Sequence, residues 1–262
     1  MSPILAARGL RLAYDSRVVV EELSIDIPDG GFTVIVWPNA CGKSTLLKAL
    51  GRTITPSAGE VLLGGSPMRS YRSKQVARRL AMLPQSPISP DGITVRDLIG
   101  RGRYPHQTLL RQWTAVDEAA VADAMASTAV TELADRLAAQ LSGGQRQRVW
   151  IAMVLAQQTE LLLLDEPTTF LDIAHQYDVL ELCAGLHERG RTLVVVLHDL
   201  NQAARYATNL VVMKHGGILA QGPPADVLTA DLVETVFGLP SLVIPDPETG
   251  TPMVVPRRSR VR

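Results

Sequence analysis

The chain has few cysteines, few aromatic residues and no net charge. Its 262 residues include two cysteines and 4% aromatic residues, and 26 basic side chains balance 26 acidic ones. Two cysteines do not build a disulfide framework. A formal net charge of zero offers no electrostatic footprint for a phosphate backbone. The composition therefore argues against a disulfide-stapled domain, and it predicts no nucleic-acid partner.

Long apolar runs are missing as well. The longest uninterrupted stretches, such as 161–164 and 193–197, are far shorter than the roughly 18 residues that a membrane-spanning helix needs. The first 15 residues lack the apolar centre of a signal peptide. These features predict a cytosolic protein, which a partner could still hold at a membrane.

What the chain does contain is a segment typical of phosphate binding at positions 37–45. The template G-x-x-x-x-G-K-[ST] matches everywhere except its first position, where Trp37 replaces glycine. We expect Lys43 to reach the β- and γ-phosphates and the Ser44 hydroxyl to ligate Mg²⁺. A predicted strand at 32–37 and a predicted helix at 44–50 flank the loop, so backbone N–H groups should converge on one anion. The candidate phosphate-loop residues are Trp37, Pro38, Asn39, Ala40, Cys41, Gly42, Lys43, Ser44 and Thr45.

Four leucines at 161–164 lead directly into two carboxylates, Asp165 and Glu166. A wholly apolar strand is buried on both faces, and carboxylates are costly to bury without a partner. At the C-terminal edge of a parallel sheet they would lie where ligands bind. We expect Asp165 to hold the Mg²⁺ shell and Glu166 to orient or deprotonate the attacking water. The alternative is that the pair caps the next helix.

A third segment, Leu141–Gln145, reads LSGGQ and leads into a predicted helix at 144–157. Ser142 is a good N-cap, and two glycines let the backbone approach a ligand closely. On these residues alone, a second anion-binding helix N-terminus and a plain helix cap explain the segment equally well.

From residue 161 onward, predicted strands and helices alternate. This alternation argues for an α/β fold with a mainly parallel sheet and helical crossovers. Before it come short N-terminal strands and then a helix-rich stretch. The predicted strands are 10–14, 18–27, 32–37, 161–165, 192–198 and 210–213, and the predicted helices are 44–50, 73–80, 95–101, 113–128, 144–157, 172–189 and 200–207.

Taken together, these residues resemble the ATP-binding cassette (ABC) ATPases over about residues 4–240. Leu141–Gln145 matches the family signature letter for letter, and the Asp165-Glu166 pair follows as it does in that family. The resemblance implies a P-loop ATPase core with N-terminal antiparallel strands and an inserted helical subdomain at about 86–160. It implies one nucleotide-binding domain at 1–240, followed by a surface strap or a tail at 241–262.

The resemblance also implies roles for four more residues. Gln85 matches the Q-loop glutamine that contacts Mg²⁺ and senses the membrane subunit, and Asp172 matches the D-loop. His198 matches the histidine that contacts the γ-phosphate, and Tyr14 falls where an aromatic ring stacks on adenine. The alternatives are a solvated loop amide for Gln85, a strand-end histidine for His198 and a core aromatic for Tyr14. The implied catalytic residues are Glu166, His198 and Lys43, the implied Mg²⁺ ligands are Ser44, Gln85 and Asp165, and the implied cofactors are ATP and Mg²⁺.

Two further segments, 101–106 and 167–176, look like those of the ATPases that serve importers of ferric siderophores, haem and cobalamin. The ferric-siderophore ATPases are the most similar. The resemblance implies a head-to-tail homodimer in which each ATP lies between Lys43 of one copy and Ser142, Gly143, Gly144 and Gln145 of the other. It also implies integral-membrane permease subunits, a peripheral position at the cytoplasmic face of the cell membrane and, indirectly, an extracytoplasmic iron-siderophore binding protein.

Several alternatives stay open. The cargo could be haem or cobalamin instead, the protein could be a hydrolysis-impaired regulatory cassette, and 101–106 could be an ordinary basic loop near no permease. The regulatory alternative rests on Trp37, because the family loop normally begins Gly-Pro-Asn-Gly. Ala40 is a milder change. A residue before proline favours the β region, so an extended Trp37 before Pro38 needs no forbidden angle. We predict that ATP still binds and that hydrolysis is slower than in a Trp37→Gly variant.

Overall fold

The computed structural model describes residues 3–14, 17–38, 43–108 and 113–258. In chain order, its strands are β1 (Pro3–Tyr14), β2 (Arg17–Pro28), β3 (Phe32–Val36), β4 (Ala58–Leu63), β5 (Ser66–Pro67), β6 (Leu80–Leu83), β7 (Leu161–Asp165), β8 (Thr192–Leu197), β9 (Asn209–Lys214), β10 (Gly217–Gly222), β11 (Ser241–Pro245) and β12 (Pro252–Pro256). Its helices are α1 (Lys43–Leu50), α2 (Ser73–Ala77), α3 (Val95–Gly100), α4 (Ala115–Ser127), α5 (Gly143–Ala156), α6 (Ile173–Glu188), α7 (Leu200–Tyr206), α8 (Pro224–Val227) and α9 (Ala230–Phe237). The chain forms two compact units, one from residues 1–67 with 194–262 and one from residues 68–193.

The first unit contains the N-terminal strands and the phosphate-loop segment. Strands β2, β1, β4 and β5 form an antiparallel sheet in that order. Beside it lie β10, β9, β3 and β8, in which β3 and β9 run parallel with Thr33 opposite Asn209. Every residue of β3 is buried, as expected for a β-branched strand covered on both faces.

The second unit is built on β6 and β7, which pair in parallel with Leu80 opposite Leu161. All of β7 is buried. Helices α3, α4 and α5 pack on one another, and each begins at a hydroxyl N-cap: Thr94, Thr114 and Ser142. The predicted α/β class is confirmed, whereas the predicted domain boundaries and the helical subdomain at 86–160 stay predictions.

Several predicted element ends differ from the observed ones by one or two residues, but β1 begins at Pro3 instead of residue 10, and the helix predicted at 73–80 is three residues shorter. The predicted helix at 73–80 ends at Ala77, because Leu80 instead begins a strand that pairs with β7. The side-chain amide of Gln157 supports this change of direction by donating to the carbonyls of Ala77 (2.5 Å) and Leu80 (3.0 Å). The predicted strand at 32–37 ends one residue early, at Val36.

Residues 241–256 form an antiparallel hairpin of β11 and β12. The sequence predicted either a surface strap or a tail for this segment. The side chain of Asn201 in α7 anchors it through both of its polar atoms. Asn201 Oδ1 accepts from the Val254 backbone N–H at 2.7 Å, and Nδ2 donates to the Val254 carbonyl at 3.2 Å. In the described ranges, no helix combines the length and the apolarity needed to cross a membrane.

Candidate nucleotide site

The phosphate-loop segment follows β3 in the first unit. Trp37 is 2% exposed, Pro38 is half-buried, and α1 begins at Lys43. In α1, Ser44 is half-buried and Thr45 is buried. The predicted loop residues Asn39, Ala40, Cys41 and Gly42 lie outside the described residues, as do the side chains of Tyr14 and Lys43. Strand, loop and helix thus follow one another in the order that the motif requires.

Trp37 occupies the glycine position without needing a glycine conformation. It is not among the described residues with positive φ, as its position before Pro38 led us to expect. Its indole Nε1 is buried and has no hydrogen-bond partner among the described residues. A buried donor without a partner costs about 1–3 kcal/mol. The cost of Trp37 at this position therefore comes from an unsatisfied polar atom and not from its backbone conformation.

His198 follows β8, which neighbours β3 in the sheet. Its side chain is exposed, whereas the whole of β8 is buried. The next residue, Asp199, caps α7 by accepting from the backbone N–H groups of Asn201 and Gln202, each at 2.8 Å. A cavity of about 290 Å³ opens beside His198 and is lined by His198, Asn201, Phe237, Leu239, Val254 and Pro256.

The carboxylate pair lies at the end of β7 in the second unit. Asp165 is 1% exposed and Glu166 is 7% exposed. Glu166 has a φ of +50°, a region that non-glycine residues enter at a cost of roughly 1–3 kcal/mol and that is concentrated at functional sites. The predicted alternative, that the pair caps the next helix, is wrong, because Asp172 caps α6.

Gln85 reaches Glu166 across 81 residues of sequence. Its amide Nε2 donates to Glu166 Oε2 at 2.6 Å, and the Thr169 hydroxyl donates to the same oxygen at 3.2 Å. Hydrogen bonds to an ionised carboxylate are stronger than those between neutral groups. Gln85 is therefore not merely a solvated loop amide. It is one of two donors to the carboxylate of Glu166, for which the sequence predicts a role in water activation.

The LSGGQ segment begins α5 with a reciprocal capping box. Ser142 Oγ accepts from the Gln145 backbone N–H at 3.3 Å, and Gln145 Oε1 accepts from the Ser142 backbone N–H at 3.1 Å. The first-turn N–H groups of α5, which include those of Gly143 and Gly144, carry the positive end of the helix dipole. Both the cap and the potential for anion binding are therefore present in one segment.

Asp172 begins α6 in the same unit. Its Oδ1 accepts from the backbone N–H of His175 at 3.0 Å and contacts His175 Nδ1 at 2.8 Å. These hydrogen bonds hold the pKa of Asp172 below its ordinary value, and the bond from the His175 backbone N–H makes the largest contribution. Sequence reasoning did not single out His175 or Thr169. The available signals were their place beside the carboxylate pair and the D-loop, and their position within the segment 167–176 that resembles the importer ATPases.

Comparison with known proteins identifies the family to which this chain belongs. A family model described as "ABC transporter" matches residues 20–169. The chain belongs to the ABC transporter family. It is an ATP-binding subunit of that family, whose ATPase activity is coupled to transport.

Similarity to individual ABC subunits extends over almost the whole chain. The ferric enterobactin transport ATP-binding protein FepC of Escherichia coli strain K12 is 54% identical over 96% of this chain and 93% of its own length. The petrobactin import ATP-binding protein FpuD of Bacillus anthracis is 48% identical over 98% of this chain and 94% of its own. A solved structure, described as an inward-facing ABC transporter of the metal-chelate type, superposes with a TM-score of 0.84 at 28% identity and covers 98% of each chain.

The segment 101–106 of this ABC subunit has a structural core and an exposed side. Arg103 is buried with Asp117, and Arg103 Nε donates to Asp117 Oδ1 at 2.9 Å. Gly102 packs so closely that a Cβ would lie 2.1 Å from the Met153 carbonyl oxygen. Tyr104 points outward, is 67% exposed and has Lys74 Nζ 5.1 Å from its ring centroid.

An open cavity of about 780 Å³ lies on this exposed side. Arg96, Gly100, Arg101, Tyr104, Trp113 and Glu118 are among the residues that line it. Trp113 is 45% exposed, and its Nε1 donates to Glu118 at 2.9 Å. The helical part of the ABC subunit therefore presents two exposed aromatic rings beside a groove with charged walls.

Proposed function

We propose that this ABC subunit is the ATP-hydrolysing, energy-coupling subunit of an importer for ferric siderophores. One observation carries the hydrolytic part. Glu166 is a buried carboxylate at positive φ, and the Gln85 amide holds it at 2.6 Å. A candidate general base must be fixed in orientation, and the hydrogen bond from Gln85 supports this for Glu166.

The residues fit ATP with Mg²⁺. The end of β7 provides two buried carboxylates next to an amide, and Mg²⁺ is usually bound through one or two carboxylates together with substrate phosphates. Asp165, Ser44 and Gln85 would hold the ion, which would supply charge neutralisation at the phosphates. The α1 N-terminus, preceded by the phosphate loop, would accept the phosphate groups.

The remaining side chains have distinct tasks in this proposal. Lys43 contacts the β- and γ-phosphates, His198 contacts the γ-phosphate, and Tyr14 stacks on adenine. Glu166 orients or deprotonates the attacking water, while Gln85 links that carboxylate to the segment that follows β6. General-base assistance of this kind contributes about 10²–10⁴-fold to a rate.

Two copies of the chain act together in this proposal. Ser142–Gln145 of one copy complete the ATP site of the other in a head-to-tail homodimer, because the capped α5 N-terminus presents N–H donors suited to a phosphate. Each closure of the dimer drives an integral-membrane permease at the cytoplasmic face of the membrane. The exposed rings of Tyr104 and Trp113 beside their groove support docking of a permease segment there.

The cargo proposal rests on the relatives. Those named for ferric enterobactin and petrobactin transport align over more than nine-tenths of both chains. An extracytoplasmic iron-siderophore binding protein, which the sequence resemblance implies, delivers the cargo to the permease in this proposal.

A deletion strain tests the function and the cargo together. Strains lacking the chain are complemented with the native protein, with Glu166→Gln or with Glu188→Gln, which changes an exposed glutamate of α6 as a control. They are then grown on ferric siderophores, on haem as sole iron source, or under cobalamin dependence. We expect only the native and Glu188→Gln proteins to restore growth, and only on siderophores. Rescue confined to haem or cobalamin would replace the cargo, and unchanged growth of the deletion strain on every source would refute the importer.

The buried Nε1 of Trp37 favours a second candidate, a regulatory cassette that binds ATP and hydrolyses it poorly. Steady-state ATPase rates of the native chain and Trp37→Gly, each with the permease, separate the two. We expect a slower but measurable native rate. An undetectable native rate beside an active glycine variant would select the regulatory function.

A further inference from the structure

The second signature glycine, Gly144, is a glycine for reasons of space. It is not among the described residues with positive φ, so its backbone does not need glycine. A Cβ built on it would lie 2.0 Å from His175 Cδ2, 2.8 Å from Nε2 and 3.0 Å from Cγ. The edge of the imidazole ring therefore fills the space that a side chain at position 144 would need.

The opposite edge of the same ring is fixed by Asp172. The backbone N–H of His175 and its Nδ1 both meet Asp172 Oδ1, at 3.0 Å and 2.8 Å. An ionised carboxylate only accepts hydrogen bonds, so Nδ1 carries the proton in this contact. The Cδ2 edge of the ring faces Gly144. The half-exposed ring is thus oriented by its contact with Asp172, the residue that caps α6.

Helices α5 and α6 meet again one turn further along. Arg148 Nη1 lies 3.7 Å from Asp178 Oδ2. Before the His175 contact, Gly143 approaches Leu171 and the Phe170 carbonyl at ordinary van der Waals distance, since an added Cβ would lie 3.9 Å from each. The start of α5 therefore contacts the start of α6, and the imidazole ring of His175 is one of these contacts.

We propose that His175 is a positioning residue that sets where the signature segment lies relative to Asp172. The ring acts as a spacer: Asp172 fixes its orientation, and the Gly144 backbone rests on its other edge. The catalytic consequence rests on the proposed function, in which Ser142–Gln145 complete the partner's ATP site. A shift of about 1 Å at a reacting centre can cost about 100-fold in rate, so a missing spacer reduces turnover.

The spacing itself is tested without nucleotide, by thermal unfolding of four chains: native, Gly144→Ala, His175→Ala and the double variant. Overpacking destabilises, and a chain of this size loses roughly 2–4 °C for each kcal/mol. We expect Gly144→Ala to lower Tm by about 5 °C in the native background. In the His175→Ala background, where the space is empty, the same change should lower Tm by less than about 1 °C. An equal loss in both backgrounds would refute the contact.

The positioning role is tested by the ATPase of the permease complex. Asn branches at Cγ as His does, so its two amide atoms can stand where Nδ1 and Cδ2 of the ring stand, which keeps a donor to Asp172 and refills the space beside Gly144. We expect His175→Ala to lower kcat by about 10-fold with KM for ATP changed less than about 2-fold, and His175→Asn to recover most of kcat. Glu188→Ala, at the far end of α6, is the matched control and should match the native rate.

The two tests separate this inference from the function it rests on. An unchanged kcat in His175→Ala beside an active native complex would overturn the positioning role, as would equal changes in kcat and KM. A native complex without any ATPase activity would refute the proposed function instead. The stability cycle needs no nucleotide, so it decides the Gly144–His175 contact even then.

Discussion

Replacing Arg103 by alanine should be among the most destabilising single changes in the second unit. The side chains of Arg103 and Asp117 are 3% and 7% exposed, and they pair at 2.9 Å. Arg103 Nη1 also donates to the Ala156 carbonyl at 2.7 Å and to Gln158 Oε1 at 2.9 Å. The guanidinium therefore joins the 101–106 turn, the start of α4 and the end of the signature helix α5.

The magnitude follows from the burial of the pair. Removing one partner of a buried ion pair costs about 3–5 kcal/mol, because the other charge stays buried without compensation. At roughly 2–4 °C for each kcal/mol, Arg103→Ala should lower Tm by about 10 °C. The matched control is the exposed pair of Arg96 with Glu118, which is shorter at 2.6 Å but 47% and 49% exposed. Arg96→Ala should cost about 0–1 kcal/mol.

Thermal unfolding followed by circular dichroism measures both variants. Equal decreases in Tm for Arg103→Ala and Arg96→Ala would contradict this expectation, because burial would then not determine the cost.

The pair of Arg103 with Asp117 also predicts a pH dependence of stability. Burial by itself would raise the pKa of Asp117, but hydrogen bonds from Thr114 and Arg103 and the charge of Arg103 hold that pKa below its ordinary value of 3.8. This contribution is therefore complete above about pH 4 and is lost as the pH falls further, and Arg103→Ala should reduce that acid dependence.

Two further changes test the first unit. Trp37→Phe keeps a buried ring and removes the unsatisfied Nε1, so its Tm should stay within about 3 °C of the native value. Trp37→Gly removes the ring and should lose about 3–5 kcal/mol of stability. Calorimetry measures both changes. ATPase rates of the glycine variant must therefore be taken below its lowered Tm, where we expect them to exceed the native rate. Asn201→Ala removes both hydrogen bonds to Val254 and should make the hairpin of β11 and β12 more sensitive to limited proteolysis. Asn201→Asp keeps the Oδ1 acceptor and should increase cleavage less. Equal cleavage of the native and alanine chains would contradict the anchoring.

Local sequence signals predicted the parts of the site that depend on neighbouring residues. The run of leucines at 161–164 identified β7 and the carboxylates at its end, because a continuous apolar strand needs burial on both faces. Ser142 identified the start of α5 as its N-cap. These features need only a few residues of context, so no tertiary information was required.

Features that depend on distant partners were not predictable in the same way. The four residues 80–83 form β6 because β7, about 80 residues later, offers them a ladder, and a short apolar run does not by itself distinguish a strand from the end of a helix. Gln85 was assigned to a metal, but its hydrogen bond to Glu166 appears only in the folded chain. The packing constraint that requires glycine at position 144 cannot be predicted from the sequence either, because His175 lies on another helix.

In the proposed function, Glu166 activates the water that hydrolyses ATP bound by this ABC subunit. The most direct measurement compares phosphate release and ATP retention by the native chain and Glu166→Gln, each purified with its permease. Loss of a general base should slow phosphate release by about 10²–10⁴-fold while bound ATP is retained. Release by Glu166→Gln at the native rate would contradict the claim.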